Sequence, residues 1–120
     1  MKESQRQDLG KRTKDFALRI IRLVVALPKT TEAQVIGKQL LRSGTSVGAH
    51  YREARRAKSD ADFVSKIEGA LQESDETIYW LELLAESGIV KPERLKPLTD
   101  ECEELIAMFV AMAKNVKSRK

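Results

Sequence analysis

Leu95, Leu98, Cys102, Leu105, Phe109, Met112 and Val116 recur at alternating intervals of three and four residues. Such spacing is a heptad seam, and it predicts a helix packed nearly parallel or antiparallel to its neighbours. Phe63, Ile67, Ala70, Leu71, Ile78, Leu81 and Ala85 form a second stripe at about 100° per residue. Ile36, Leu40, Ser43, Val47 and Ala54 form a third, with Lys38, Arg42, Arg52 and Arg56 on the opposite side and Thr45 and Ala49 between them. Strand-like alternation, internal repeats and low-complexity tracts do not occur.

Helix-breaking and helix-capping residues separate these stripes. Pro28 disfavours a helical residue before it, Thr30 or Thr31 can cap a second helix, and Ser59 with Asp62 makes a capping-box-like start for a third. Gly88 supplies a left-handed stop, and Pro92 or Pro97 opens a fourth helix. The expectation is one all-α domain over residues 1–120, an up-and-down four-helix bundle with helices at about 8–26, 31–58, 60–87 and 93–117.

The third helix carries more apolar surface than one core stripe uses. Tyr79, Trp80, Leu83 and Leu84 point away from that stripe, so they are expected to be covered either by the connection between the first two helices or by another subunit. The subunit interface is the favoured reading.

Composition narrows the class. One third of the residues are charged and 42% are hydrophobic, a globular balance for 120 residues, which suffice for one modest core. Cys102 is the only cysteine, so no intrachain disulfide can form and a reducing compartment is expected. The longest apolar run, at residues 20–27, contains Arg22 and is far short of the roughly 20 residues of a membrane span. Lys2, Arg6, Lys11, Arg12 and Lys14 are interleaved with acids and followed by no cleavage pattern, so a soluble cytoplasmic protein is expected. The net charge of +4 hides a division, since residues 1–58 carry 14 Lys/Arg against 5 Asp/Glu and residues 59–120 carry 8 against 13. A half with charge +9 can attract phosphates, or it can first meet the half with charge −5 in its own chain or in a neighbour.

The stretch SGTSVGAHYREARRAKS, Ser43 to Ser59, holds the candidate chemistry. Ser46, His50 and Glu53 have the order of a nucleophile, base and orienter on one helix flank. Backbone N–H groups inside a helix are already bonded, however, so no oxyanion hole is available, and the strand-to-helix elbow of serine hydrolases is missing. Gly44 and Gly48 precede no Gly-Lys-Ser/Thr, which removes a phosphate loop, and one histidine with one distant cysteine cannot complete a zinc shell. Adjacent acids such as Asp75-Glu76 and Glu103-Glu104 diverge by about 100° on a helix and suit solvent. No enzyme activity, cofactor or metal is expected. The small residues Ser43, Gly44, Ser46, Gly48 and Ala49 are instead read as places where another helix approaches closely.

The segment QLLRSGTSVGAHYREARRAKSDADFVSKIEGALQESDETIYWLELL, Gln39 to Leu84, resembles small bacterial four-helix-bundle proteins encoded in the intervening sequences of 23S ribosomal RNA genes. Upstream, DFALRIIRLVVAL at residues 15–27 is similar to their first helix. The features that carry the resemblance are the run at 40–49, Glu53-Ala54, Ser59, Asp62-Phe63 and Ile78-Tyr79-Trp80-Leu81, and the likeness weakens after Val90. It implies a ring-shaped homopentamer, and a relation to the basic pentameric accessory protein of diversity-generating retroelements, which binds nucleic acid and a reverse transcriptase. The sequence departs from the family pattern at His50 (commonly asparagine), Tyr51 (commonly aliphatic) and Asp60 (commonly lysine).

Together these readings predict a non-enzymatic oligomeric scaffold that binds RNA or DNA, structured RNA first, through Lys38, Arg42, Arg52, Arg55, Arg56 and Lys58. The tail cations Lys114, Lys117, Arg119 and Lys120 are expected to assist. The alternative is a protein-binding adaptor for a mobile-element or reverse-transcriptase-like partner, with no direct role for nucleic acid.

Overall fold

Thr30 Oγ1 accepts the backbone N–H of Ala33 at 3.3 Å, and Ser59 Oγ accepts that of Asp62 at 3.0 Å, so each residue opens a helix by satisfying a donor without an intrahelical partner. The computed structural model describes the backbone of residues 3–119 and the side chains of residues 8–119. Its four helices are α1 (Glu3–Val25), α2 (Thr31–Arg55), α3 (Asp60–Glu86) and α4 (Pro92–Lys117). Among the described residues there is no strand.

Two helix ends differ from the sequence expectation by more than one residue. Helix α1 begins at Glu3 and not near residue 8, because nothing in ESQRQD stops a helix. Helix α2 ends at Arg55, three residues early: Arg56 N–H and Ala57 N–H turn back to the carbonyls of Glu53 and Ala54, closing a tight last turn. The extended backbone that Ser59 needs as a cap, and the 3.3 Å bond from Lys58 N–H to Asp62 Oδ2, pull the following residues out of α2. Pro92 opens α4, and Pro97 lies inside it, where its missing N–H removes one bond near the helix start. Gly88, at φ +78°, supplies the turn after α3.

Pairings across the helices fix their directions. Thr13 faces Gly48, Ile20 faces Gly44 and Leu27 faces Gly37, so α1 and α2 are antiparallel. Ser43 bonds to Thr77 and His50 lies against Gly69, so α2 and α3 are antiparallel too. Each helix packs on the next in the chain, α1 touches α4 least, and α1 and α3 stand diagonally, making a rod of 50 × 21 × 19 Å.

The core follows the predicted seams with two changes. On α4 every seam residue is buried except the half-buried Met112, beside which Ala113 is buried. On α3 the buried line is Ile67, Ala70, Ser74, Thr77, Leu81 and Leu84, a regular alternation of three and four that includes two hydroxyls. Tyr51 is fully buried with its ring 6.1 Å from that of Phe109.

Candidate nucleic-acid interface

The glycines of α2 are where a second helix approaches, and that helix is α1. A Cβ on Gly44 would lie 2.9 Å from two carbons of Ile20, and one on Gly48 would lie 3.2 Å from Thr13. Ser43, on the adjoining flank, bonds to Thr77 of α3, whereas Ala49 is exposed and marks no close approach. With Ser43, Gly44 and Gly48 turned inward, α2 and its cap present Lys38, Arg52 and Arg56 to solvent.

The six expected phosphate-binding residues do not form one patch. Arg42 leans onto α3, with Nη1 3.1 Å from Glu73 Oε1 and Nη2 2.7 Å from Glu76 Oε1. Its charge is answered within the chain, which corrects the expectation that it is available. Lys38 is separated from Arg52 by 14 residues of helix, roughly 21 Å. Arg52, Arg55 and Arg56 crowd the last turn of α2 and its cap, and Lys58 follows in the link to α3.

Because α2 and α4 run the same way, the C-terminal end of α4 arrives beside this cluster. A cleft of about 660 Å³ opens there, floored by Leu9, Tyr51, Phe63, Met108, Met112 and Val116 and lined also by the exposed Arg55, Lys58 and Arg119. Asp60 and Ser59 line it as well. Among the described residues Arg52, Arg56, Lys58, Lys114 and Arg119 form no ion pair, while Lys117 Nζ is 2.9 Å from Glu68 Oε2. Lys120 lies outside the described residues.

The serine–histidine–glutamate order does not become a catalytic constellation. Ser46 Oγ donates to the Arg42 carbonyl at 2.6 Å, tying the hydroxyl to its own helix. His50 Nδ1 is 3.3 Å from Glu53 Oε1 without hydrogen-bond geometry, and its ring packs so closely on α3 that a Cβ on Gly69 would lie 2.9 Å from Nδ1. Burial, followed by the acids Glu103, Asp75 and Glu101, pushes the Cys102 thiol up to about 12, so it is not a nucleophile at neutral pH. Among the described residues no group of three or more His, Cys, Asp or Glu could hold a metal ion, and no described helix is long and apolar enough to cross a membrane.

The apolar girth of α3 is only partly external. Leu84 is completely buried, a correction to its expected place in an interface: one step of 100° from Leu83 brings it onto the core line with Leu81 and Thr77. Leu83 and Trp80 are half-buried, and Trp80 Nε1 is enclosed without a hydrogen-bond partner among the described residues. Tyr79 is exposed, with its ring edge-on to Trp80 at 5.0 Å. The sequence reading missed a comparable face on α1, where Leu18, Ile21 and Val25 are exposed. Their spacing of three and four, opposite the buried Phe16 and Ile20, was the available signal.

A family model described as 23S rRNA-intervening sequence protein matches residues 5–111. The chain is also similar to a protein of unknown function from the S23 ribosomal protein family of Bacteroides thetaiotaomicron, whose crystal structure superposes with a TM-score of 0.85. The two share 37% identity over 91% of this chain and 97% of the other. None of the curated proteins compared with the chain matches it.

Proposed function

The chain belongs to the 23S rRNA-intervening sequence protein family, and from that premise we propose that it is a non-enzymatic, cytoplasmic, oligomeric scaffold that binds structured RNA through the basic end of its bundle. The observation that carries this reading is the convergence of cations from sequence-distant segments: Lys58, after the end of α2, and Arg119, after the end of α4, line one cleft, and Arg52 and Arg56 stand in the adjoining last turn and cap of α2, these four without an ion pair among the described residues. Charges without carboxylate partners keep their attraction for phosphate, and long side chains at a rod's tip adapt to an irregular polyanion. Groove-reading helices, zinc fingers and exposed aromatic base platforms have no counterpart in the sequence, so contact is with the RNA backbone and tolerant of its sequence.

Assembly multiplies the effect. In the homopentameric ring that the resemblance implies, each subunit would present one basic tip, and several weak tips on one RNA raise avidity without new contacts. The relation that the resemblance implies, to a nucleic-acid-binding retroelement accessory protein, would point to the same chemistry.

The test is a titration with a base-paired RNA hairpin at 50 and 200 mM salt. Neutralising about four phosphates per subunit predicts an affinity loss of at least roughly a hundredfold across that range. Binding that ignores salt, or no binding at 50 mM, contradicts the proposal.

A further inference from the structure

Met108, Met112 and Val116 stand four residues apart on α4, so their side chains follow one line over about 12 Å of helix. That line forms one wall of the cleft of about 660 Å³ at the basic end of the bundle, a volume within the range of small-molecule sites. Leu9, Tyr51 and Phe63, one from each of the other helices, complete its apolar lining. Two features keep the space open. Helices α1 and α4 are the least extensively packed of the touching pairs, and alanine stands at positions 54, 57 and 111 of the lining, where longer side chains would fill the volume.

This trench is closed at one end and charged at the other. Toward the middle of the rod, Arg12 of α1 holds Glu101 of α4 and places Nη1 3.4 Å from Met108 Sδ, which shuts the gap between the two helices. Toward the tip, α4 runs out to Arg119, and Lys58 enters from the link between α2 and α3, both exposed and without an ion pair among the described residues. Asp60 lines the mouth with them, but Arg55 does too, so cations outnumber the acid. A long apolar floor with a cationic mouth fits a ligand that is hydrocarbon over most of its length and anionic at one end. The thioethers of Met108 and Met112 adapt to a flexible hydrocarbon better than a rigid wall would. We infer that the trench binds a free fatty acid of about ten carbons, its hydrocarbon laid along about 12 Å of α4 and its carboxylate held at the mouth by Lys58 and Arg119. Exposed charges contribute little affinity, so burial of the hydrocarbon drives binding and the cations set its direction. The site shares those two cations with the tip proposed to hold RNA, but it does not rest on RNA binding.

The experiment is a calorimetric titration of the full chain with monomeric decanoate at low salt. Saturable binding is expected, at least roughly fivefold tighter than for octanoate, since each fully buried methylene is worth about a fourfold gain. Decyltrimethylammonium carries the same hydrocarbon and the opposite charge, and is expected to bind at least roughly fivefold more weakly than decanoate. Ala111→Trp, at an exposed position, fills the trench: decanoate affinity is expected to fall at least roughly tenfold, with the RNA hairpin bound as by the unaltered chain. In Lys58→Glu/Arg119→Glu the preference between the two amphiphiles is expected to reverse. Circular dichroism verifies that both variants remain folded. Uptake of decanoate that never saturates, equal affinity for the two amphiphiles, or a folded Ala111→Trp variant that binds decanoate as before would overturn the site. Tyr79→Asp, on the outer side of α3, is expected to leave decanoate binding unaltered, and a loss there would contradict the assignment to the trench. Decanoate binding without hairpin binding supports this site and removes only the RNA reading, whereas hairpin binding without decanoate binding does the reverse.

Discussion

Arg12 grips Glu101 with two parallel bonds, Nε to Oε2 at 3.0 Å and Nη2 to Oε1 at 2.7 Å, and so ties α1 to α4, the least extensively packed of the touching helix pairs. Glu104 adds a third carboxylate contact at 3.0 Å, and the bond to Glu101 holds the guanidinium above its ordinary pKa. A forked pair with both members mostly shielded from water is worth more than an exposed ion pair. Arg12→Ala is expected to lower stability by about 1–3 kcal/mol, most of it from leaving Glu101 shielded and unpartnered. Urea unfolding checks this through a lower midpoint at unchanged slope.

The glycines of α2 differ in what faces them. Gly44→Ala drives a methyl against the branched stem of Ile20, which cannot swing away, and is expected to cost about 1–3 kcal/mol despite the better helix propensity of alanine. Gly37→Ala meets chiefly the mobile tip of Leu27 and is expected to be near neutral. Thermal unfolding of the two variants side by side gives the order, and a Gly37 variant less stable than the Gly44 variant would contradict this packing.

Inside the bundle, Thr77 Oγ1 bonds to Ser43 Oγ at 2.9 Å and to the Glu73 carbonyl at 2.8 Å. Thr77→Val leaves the buried Ser43 hydroxyl only the distant Leu40 carbonyl at 3.4 Å, for a cost of about 1–2 kcal/mol. Adding Ser43→Ala removes the stranded group, so the double variant is expected to lose less than the sum of the two single ones in a double-mutant cycle.

These hydroxyls also explain what the sequence could and could not convey. The α4 seam was legible because every member is apolar or cysteine, and its repeat of three and four has no gaps. The α3 line was misplaced because Ser74 and Thr77 occupy core positions, which shifted the apparent stripe and turned Leu84 outward. Close approach at Gly44 and Gly48 was legible, but not that α1 supplies it, since a glycine records space and not the identity of its neighbour. The partners of Arg12 and Arg42 lie 31 to 92 residues away, beyond any local pattern, so the neutralising half of the charge division became specific only in three dimensions. The tip cluster likewise needed the chain direction of each helix before Arg119 could stand with Lys58.

Cys102 gives a pH-dependent prediction. Its folded thiol keeps the proton up to about 12, whereas an unfolded cysteine loses it near its ordinary value of about 8.5. The contribution is therefore fully present below the unfolded pKa and is lost as pH rises from there toward the folded one. Stability between pH 8 and pH 11 is expected to fall less steeply in Cys102→Ala than in the unaltered chain. A disulfide-forming thiol reagent at pH 8 should label the native protein only as fast as it opens; immediate labelling would mean that the sulfur is not enclosed.

The basic tip of the rod is tested most directly by comparing charge reversals on one helix for binding to the same RNA hairpin at 50 mM salt. Arg52→Glu/Arg56→Glu costs at most about 1 kcal/mol of stability per site at the helix C-terminus, small enough to leave the bundle folded. The expected result is an affinity loss of roughly a hundredfold or more for that pair with a shallower salt dependence, and a change of no more than about threefold for Lys38→Glu, some 21 Å along the same helix. Equal losses at both places, or unaltered binding by the Arg52/Arg56 variant, would contradict the account.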